Sequence, residues 1–144
     1  MKRFFFCFFI LLACSCSKVI ESTIPYARVF LTLDLRYEDK DLVGILNHKN
    51  ITSPRKAGEY VGYSGVLVIC GFDNNYYAYD LCCPNESSKS IKVVANDIGQ
   101  AVCPKCGTVY DIGYGSGAPV QGVSKYAMRR YNITASGQQL LIQY

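Results

Sequence analysis

The chain has 144 residues, 50% of them apolar, with 15 lysines and arginines against 11 acids and 1 histidine. That length fits one domain with a core of its own, and the apolar content excludes a disordered chain. The formal charge of +4 is modest and its cations are scattered among acids, so there is no electrostatic case for nucleic acid.

Lys2 and Arg3 precede an apolar run from Phe4 to Leu12. The run is too short for a permanent membrane span, and it has the charged start and small-residue finish of an export signal. Leu11-Leu12-Ala13-Cys14 resembles a bacterial lipobox, so residues 1–13 are read as signal peptide and Cys14 as the lipid-bearing N-terminus. An ordinary cleaved signal, with Cys14 and Cys16 incidental, is the alternative. Removing residues 1–13 takes Lys2 and Arg3 but no acid, which leaves a nearly neutral protein. On this reading the membrane is a partner through the lipid. The protein sits in the bacterial cell envelope, facing the periplasm or displayed on the surface, where thiols meet an oxidising compartment. Residues 14–25 are anchor and polar linker, and residues 26–144 are the folded domain.

Val29, Leu31, Leu33 and Leu35 alternate with Phe30, Thr32, Asp34 and Arg36, the period of a half-buried strand. Tyr37 to Ser64 mixes charges with Gly44, Asn47, Asn50, Pro54 and Gly58, which predicts loops and short strands, with His48 in a loop. From there Val66 to Ile69, the turn Asp73-Asn74-Asn75, and Tyr76 to Tyr79 predict a hairpin whose second strand runs into Cys82. Short strands are expected at Ile91 to Val94, at Gln100 to Val102 and at Thr108 to Ile112. Gly113 to Gly117 then turns, and Tyr131 to Thr134 and Leu140 to Ile142 complete the sheet. No stretch carries a helical period, so the fold is expected to be all-β. Cys70 reads as a buried small hydrophobe, Arg129-Arg130 as a solvated edge, and the tyrosines as cover for sheet surfaces.

The chemistry concentrates in Cys82-Cys83-Pro84-Asn85 and Cys103-Pro104-Lys105-Cys106-Gly107. Both clusters lie between strands. Pro84 and Pro104 stiffen each knuckle, and Gly107 permits a tight turn close to a bound ion. Val102, Val109, Tyr110 and Leu81 are placed to form a shell that limits solvent. Three chemistries suit Cys82, Cys83, Cys103 and Cys106: an all-cysteine [2Fe-2S] cluster, a closed zinc site, or disulfides. A thioredoxin-type use of Cys103-Pro104-Lys105-Cys106 needs a helix N-terminus, and strand pattern flanks the motif on both sides. With His48 alone there is no serine, histidine and carboxylate arrangement, so an electron carrier or binding protein is favoured over a hydrolase.

Val66 to Ile69, Tyr77-Ala78-Tyr79-Asp80, Cys83-Pro84-Asn85, Ala101 to Asp111, Gly117-Ala118-Pro119 and Tyr131-Asn132-Ile133 together resemble the Rieske domain. With the lipoprotein start, the chain resembles the Rieske-like lipoproteins of Bacteroides-type bacteria. The resemblance implies a Rieske-like β-sandwich carrying a small rubredoxin-like metal-binding subdomain at about residues 80–112. It also implies electron transfer through a [2Fe-2S] cluster. The Rieske pattern is C-x-H and C-x-x-H; here Asn85 and Cys106 stand at the histidine positions, which excludes the two-histidine cluster. Cys82 is an additional thiol that would complete a four-cysteine set. Thiolate in place of imidazole would move the potential towards about −400 mV. The expectation is thus a lipid-anchored envelope protein with iron bound by Cys82, Cys83, Cys103 and Cys106, serving a redox or binding partner in the envelope. The rival is a structural or partner-binding module whose loops hold zinc or disulfides.

Overall fold

The computed structural model describes residue 20 and residues 22–144. The expected signal peptide, Cys14 and Cys16 lie outside the described residues. Eleven strands follow one another: β1 (Val29–Asp34), β2 (His48–Ile51), β3 (Tyr60–Val61), β4 (Val66–Cys70), β5 (Tyr76–Asp80), β6 (Val94–Ala95), β7 (Gln100–Val102), β8 (Val109–Asp111), β9 (Pro119–Gln121), β10 (Arg130–Ser136) and β11 (Gln139–Gln143). One turn of 3-10 helix at Lys40–Leu42 is the only helical element among the described residues. Seven strands form a sheet in the order β2-β4-β5-β10-β11-β1-β3, and β6-β7-β8-β9 form a second, smaller one.

The alternation in β1 does what its period requires: Val29, Leu31 and Leu33 are buried while Phe30 faces out. Leu31 stands opposite Ile142 and Leu33 opposite Leu140, so the register of β11 is fixed by one shared apolar face. β4 behaves differently, because all five of its residues are buried. Val66 and Val68 enter a core with Leu31, Leu33, Leu140 and Ile142, whereas Leu67 and Ile69 enter a second core with Tyr79, Leu81, Tyr110 and Ile112. β4 is therefore the wall between two cores, which explains an uninterrupted apolar run in an antiparallel sheet. Its hairpin partner β5 pairs in full register, from Val66 opposite Asp80 to Cys70 opposite Tyr76.

Between β1 and β4 the chain is pinned by charge as well as by the burial of Leu42 and Ile51 in the first core. The Asp39 carboxylate is fully shielded and meets Arg55 at 2.7 Å, Lys49 at 3.1 Å and the Asp34 N–H at 3.0 Å. His48 opens β2 opposite Ile69 instead of lying in a loop, with its Nδ1 3.2 Å from the Leu46 carbonyl.

The segment assigned to the linker is docked on the domain where it is described. Ile24 is buried, the Thr23 hydroxyl donates to the Pro84 carbonyl at 2.8 Å, and the Arg129 guanidinium donates to the Ile24 carbonyl. Arg129 is thus a tie for this strap and not a solvated edge. Two other expectations shift. Only an isolated bridge at Lys92 precedes β6, and β9 extends the small sheet to Gln121, beyond the boundary near residue 112. Tyr79, Tyr110 and Tyr131 lie in the cores rather than on sheet surfaces, each buried with its hydroxyl hydrogen-bonded. Cys70 is buried at the end of β4, as its apolar context predicts.

Candidate metal centre

The two cysteine loops hang from the second core. β5 leads out of the large sheet into Leu81, Cys82 and Cys83, which continue as an extended segment. The Leu81 N–H donates to Gly65 at 2.9 Å, the Val93 N–H to Leu81 at 2.8 Å and the Cys83 N–H to Ile91 at 3.1 Å, and Cys82 bridges antiparallel to Lys92. Asp80 fixes the start of this segment. Its Oδ1 accepts the Cys82 N–H at 2.8 Å, and its Oδ2 accepts the Tyr63 N–H at 2.9 Å and the Tyr131 hydroxyl at 2.5 Å. A buried carboxylate with this many donors is held without a cation.

Neighbouring side chains on an extended segment point to opposite sides, and Cys82 and Cys83 do so. Cys83 belongs to the second core with Cys103, while the Cys82 thiol turns to backbone carbonyls, 3.4 Å from Ser88 and 3.5 Å from Cys83. After Cys83 the chain folds back as a knuckle, with the N–H groups of Glu86 and Ser87 donating to the Cys83 carbonyl at 3.2 and 2.9 Å. The second loop mirrors it. The Cys103 N–H donates to Thr108 at 2.9 Å and the Gly107 N–H to Cys103 at 3.0 Å. Gly107 takes φ +70°, a left-handed conformation that glycine adopts without strain.

The structure brings three of the four expected thiols together. The Sγ atoms of Cys83, Cys103 and Cys106 lie within 4.8 Å of one another, and Cys83 and Cys106 are 3.7 Å apart. Sulfurs at the corners of a tetrahedral ion with metal–sulfur bonds of about 2.3 Å stand about 3.8 Å apart, so this spacing suits coordination to metal. Cys82 is outside the group, and so are His48 and Asn85. All five described cysteines are free thiols.

The electrostatics divides the three. Burial pushes the Cys83 thiol up to about 12, against the pull of the Tyr110 hydroxyl at 3.4 Å and the N–H groups of Glu86 and Asn85. At Cys106 burial also acts upward, but the Thr108 hydroxyl at 3.2 Å and the Thr108 N–H outweigh it, with Cys103 and Cys83 adding to them, and hold the thiol below its ordinary value. Burial and the nearby Asp80 charge push the Cys82 thiol up to about 12 as well. Cys83 and Cys103 are fully buried, and Cys106 is partly exposed, so the group opens to solvent on the Cys106 side. Above that opening Lys105 and Glu86 form an ion pair at 2.5 Å that joins the tips of the two loops.

Tyr110 was placed in the shell by its sequence position, and the structure gives it a direct contact with Cys83. Thr108 and Asp80 were missed. Each carried a legible cue: a hydroxyl two residues after Cys106, and an acid two residues before the first cysteine pair. Gly122 was also missed. A Cβ there would sit 2.6 Å from the Thr108 Cα, so only glycine lets the chain after β9 press on the loop and bring the Ser124 N–H to the Thr108 hydroxyl at 3.2 Å.

No family model matches the sequence, and no curated protein matches it. Solved structures do match. The chain is similar to the ferredoxin of Sphingomonas yanoikuyae B1, with TM-score 0.51 and 14% identity over 83% of this chain and 99% of that one. It is also similar to a chain in the complex of reduced oxygenase and oxidized ferredoxin in carbazole 1,9a-dioxygenase, with TM-score 0.52 and 10% identity over 78% of this chain and 99% of that one. At such identities the likeness speaks of architecture alone: the fold is all-β and Rieske-like, a large sheet carrying a small subdomain with two cysteine loops.

Proposed function

We propose that this protein is an electron-transfer protein of the bacterial cell envelope. Its Rieske-like domain binds an iron–sulfur centre through Cys83, Cys103 and Cys106, and a lipid on Cys14 tethers it to a membrane. The observation that carries the reading is the convergence of three thiols from two knuckle loops within 4.8 Å, on a fold shared with ferredoxins. Bound there, an iron–sulfur centre of the [2Fe-2S] type supplies reversible one-electron transfer.

The chain's own residues set the conditions. Burial of Cys83 and Cys103 in the second core keeps water from the inner side of the centre. The Tyr110 hydroxyl and the N–H groups of Asn85 and Glu86 face Cys83 Sγ and stabilise negative charge on it, which favours the reduced state. Cys106 acts the other way, because its thiolate adds negative charge where a neutral imidazole would add none. Cys106, the least buried of the three, marks the side on which an electron partner comes closest. The tether rests on the export signal and on Leu11-Leu12-Ala13-Cys14; Cys14→Ala is expected to move the protein from the membrane to the soluble fraction.

The test is elemental and sulfide analysis with a visible spectrum, on protein purified without oxygen or added metal. Iron, sulfide and absorption bands bleached by dithionite are the expected result. Zinc without colour would make the loops structural, and metal-free protein would remove the electron-transfer reading.

A further inference from the structure

β5 and β10 are neighbours in the large sheet, but their ladder consists only of Arg130 opposite Tyr79 and Tyr131 opposite Ala78. β10 then runs on from Asn132 to Ser136, paired along its other edge with β11. In an antiparallel ladder, alternate residues bond alternate neighbours. The Tyr144 N–H donates to the Val29 carbonyl at 3.2 Å, which makes Ile142 and Leu140 the bonding partners of β1 and leaves Gln143 and Leu141 to bond Asn132 and Thr134. The Gly71 N–H donates to Asn75 at 2.7 Å, so Tyr77 and Tyr79 are the residues that bond β4. Ile133 and Ala135 on β10 and Tyr76 on β5 therefore turn their N–H and C=O groups into the gap between the strands, beyond the point where the ladder ends. Among the described residues these groups meet no backbone partner.

The divergence opens a cleft at the end of the large sheet away from the cysteine loops. Two cavities of about 420 and 440 Å³ lie along it and share Tyr76, Arg130 and Ile133 as walls. The side chains of Tyr76 and Ile133 pack against the first core. Asn132 to Ser136 carries no charge and no proline, the usual guards of a bare strand edge. Arg130 is the only charged side chain in either wall. Its guanidinium lies 4.9 Å over the Tyr77 ring and donates to the Gly115 carbonyl at 2.7 Å, and no acid among the described residues pairs with it. The nearby Asp73 carboxylate is taken up by the Asn75 amide at 2.7 Å and the Tyr77 hydroxyl at 2.6 Å.

We propose that this cleft binds an extended, acidic peptide segment of another protein as an added strand. The segment's backbone bonds Ile133, Ala135 and Tyr76, and one of its carboxylates pairs with Arg130. Main-chain bonds give such a site its affinity, and the unpaired guanidinium selects for acid. The inference is independent of what the thiols hold.

The test uses the purified full chain and a displayed library of random heptapeptides. Peptides retained by wild type are expected to be rich in Asp and Glu, and the tightest is synthesised and titrated against wild type, Arg130→Gln and Ala135→Pro. Arg130→Gln should bind about tenfold more weakly. Ala135→Pro removes an N–H that faces the gap and no bond to β11, so it should keep the wild-type circular dichroism spectrum and lose the peptide. A fully N-methylated copy of the peptide keeps the side chains without the donors and should not bind to wild type, a result that needs no variant to fold. In wild type the bound peptide should slow hydrogen exchange at the Ile133 and Ala135 amides. A library that yields no binder would overturn the inference. So would binders that ignore both Arg130→Gln and N-methylation, or amide protection confined to other strands.

Discussion

The two cores that meet at β4 are closed by different means. On one face, strands of five to seven residues such as β4, β10 and β11 interlock apolar side chains from both sides of a long sheet. On the other, the strands β6 to β9 are two or three residues long and the buried set includes Cys83 and Cys103. Strands that short do not stabilise themselves. The contrast teaches that the large sheet closes on apolar side chains from long strands, whereas the short-stranded sheet closes against residues of β4 and β5 together with two thiols.

The sharpest way to break the comparison is at the thiols. Cys83→Ser and Cys103→Ser are each expected to abolish metal binding while the large sheet stays folded, seen as absent metal with a retained far-ultraviolet circular dichroism spectrum. Full metal content in both variants would refute the assignment of the centre. A second pair probes the two faces of the wall. Leu31→Ala and Leu67→Ala are each expected to cost about 2–5 kcal/mol in denaturant unfolding, as buried leucine truncations do. Only Leu67→Ala, which lines the second core, should also speed metal loss to a chelator; equal release from both variants would show that the cores are not independent.

Acid tests the charged pin of the scaffold. Burial pushes the Asp39 carboxyl up, but Arg55, Lys49 and the Asp34 N–H outweigh it and hold its pKa below the usual range. A depressed folded pKa means that the contribution is complete above the unfolded value of about 3.9 and is lost as pH falls through the folded value. In the metal-free Cys103→Ser protein, the unfolding free energy should be level from neutral pH to about pH 5 and fall below about pH 4. Asp39→Asn should lower the plateau by about 1–3 kcal/mol and flatten the acid limb; an unchanged acid limb would place the sensitivity elsewhere. The smallest effect on stability is expected at the loop tips. Lys105→Ala removes an ion pair whose lysine is exposed, so the melting temperature should barely move. Metal release to a chelator should nevertheless quicken, and an unchanged rate would show that the pair does not hold the loops together.

The hairpin β4–β5 was legible because an apolar run, an Asp-Asn-Asn turn and an aromatic run leave one register. β1 was legible from its period. The meeting of the two loops was legible because cysteine spacing survives translation into space when both loops hang from one core. What the sequence did not reveal was facing. Cys82 and Cys83 are equivalent as letters, and only the bonds to Ile91, Lys92 and Asp80 decide which one enters the core. β9 was hidden because Pro119, Val120 and Gln121 carry no strand period and pair through a register shift. The buried tyrosines were hidden because composition cannot tell a ring that covers a sheet from one whose hydroxyl finds a partner inside it.

The strap from residue 22 to Pro25 gives the proposed tether a length. Thr23 is bonded to the loop that carries Cys83, and the first docked residue among those described is Ile20, whose N–H donates to the Lys125 carbonyl at 3.2 Å and whose carbonyl accepts the Ala127 N–H at 3.0 Å. The six peptide links from Cys14 to Ile20 span at most about 22 Å when fully stretched. A lipid at Cys14 would therefore confine electron exchange to a thin layer above the bilayer, and any partner must either live in that layer or come down to it.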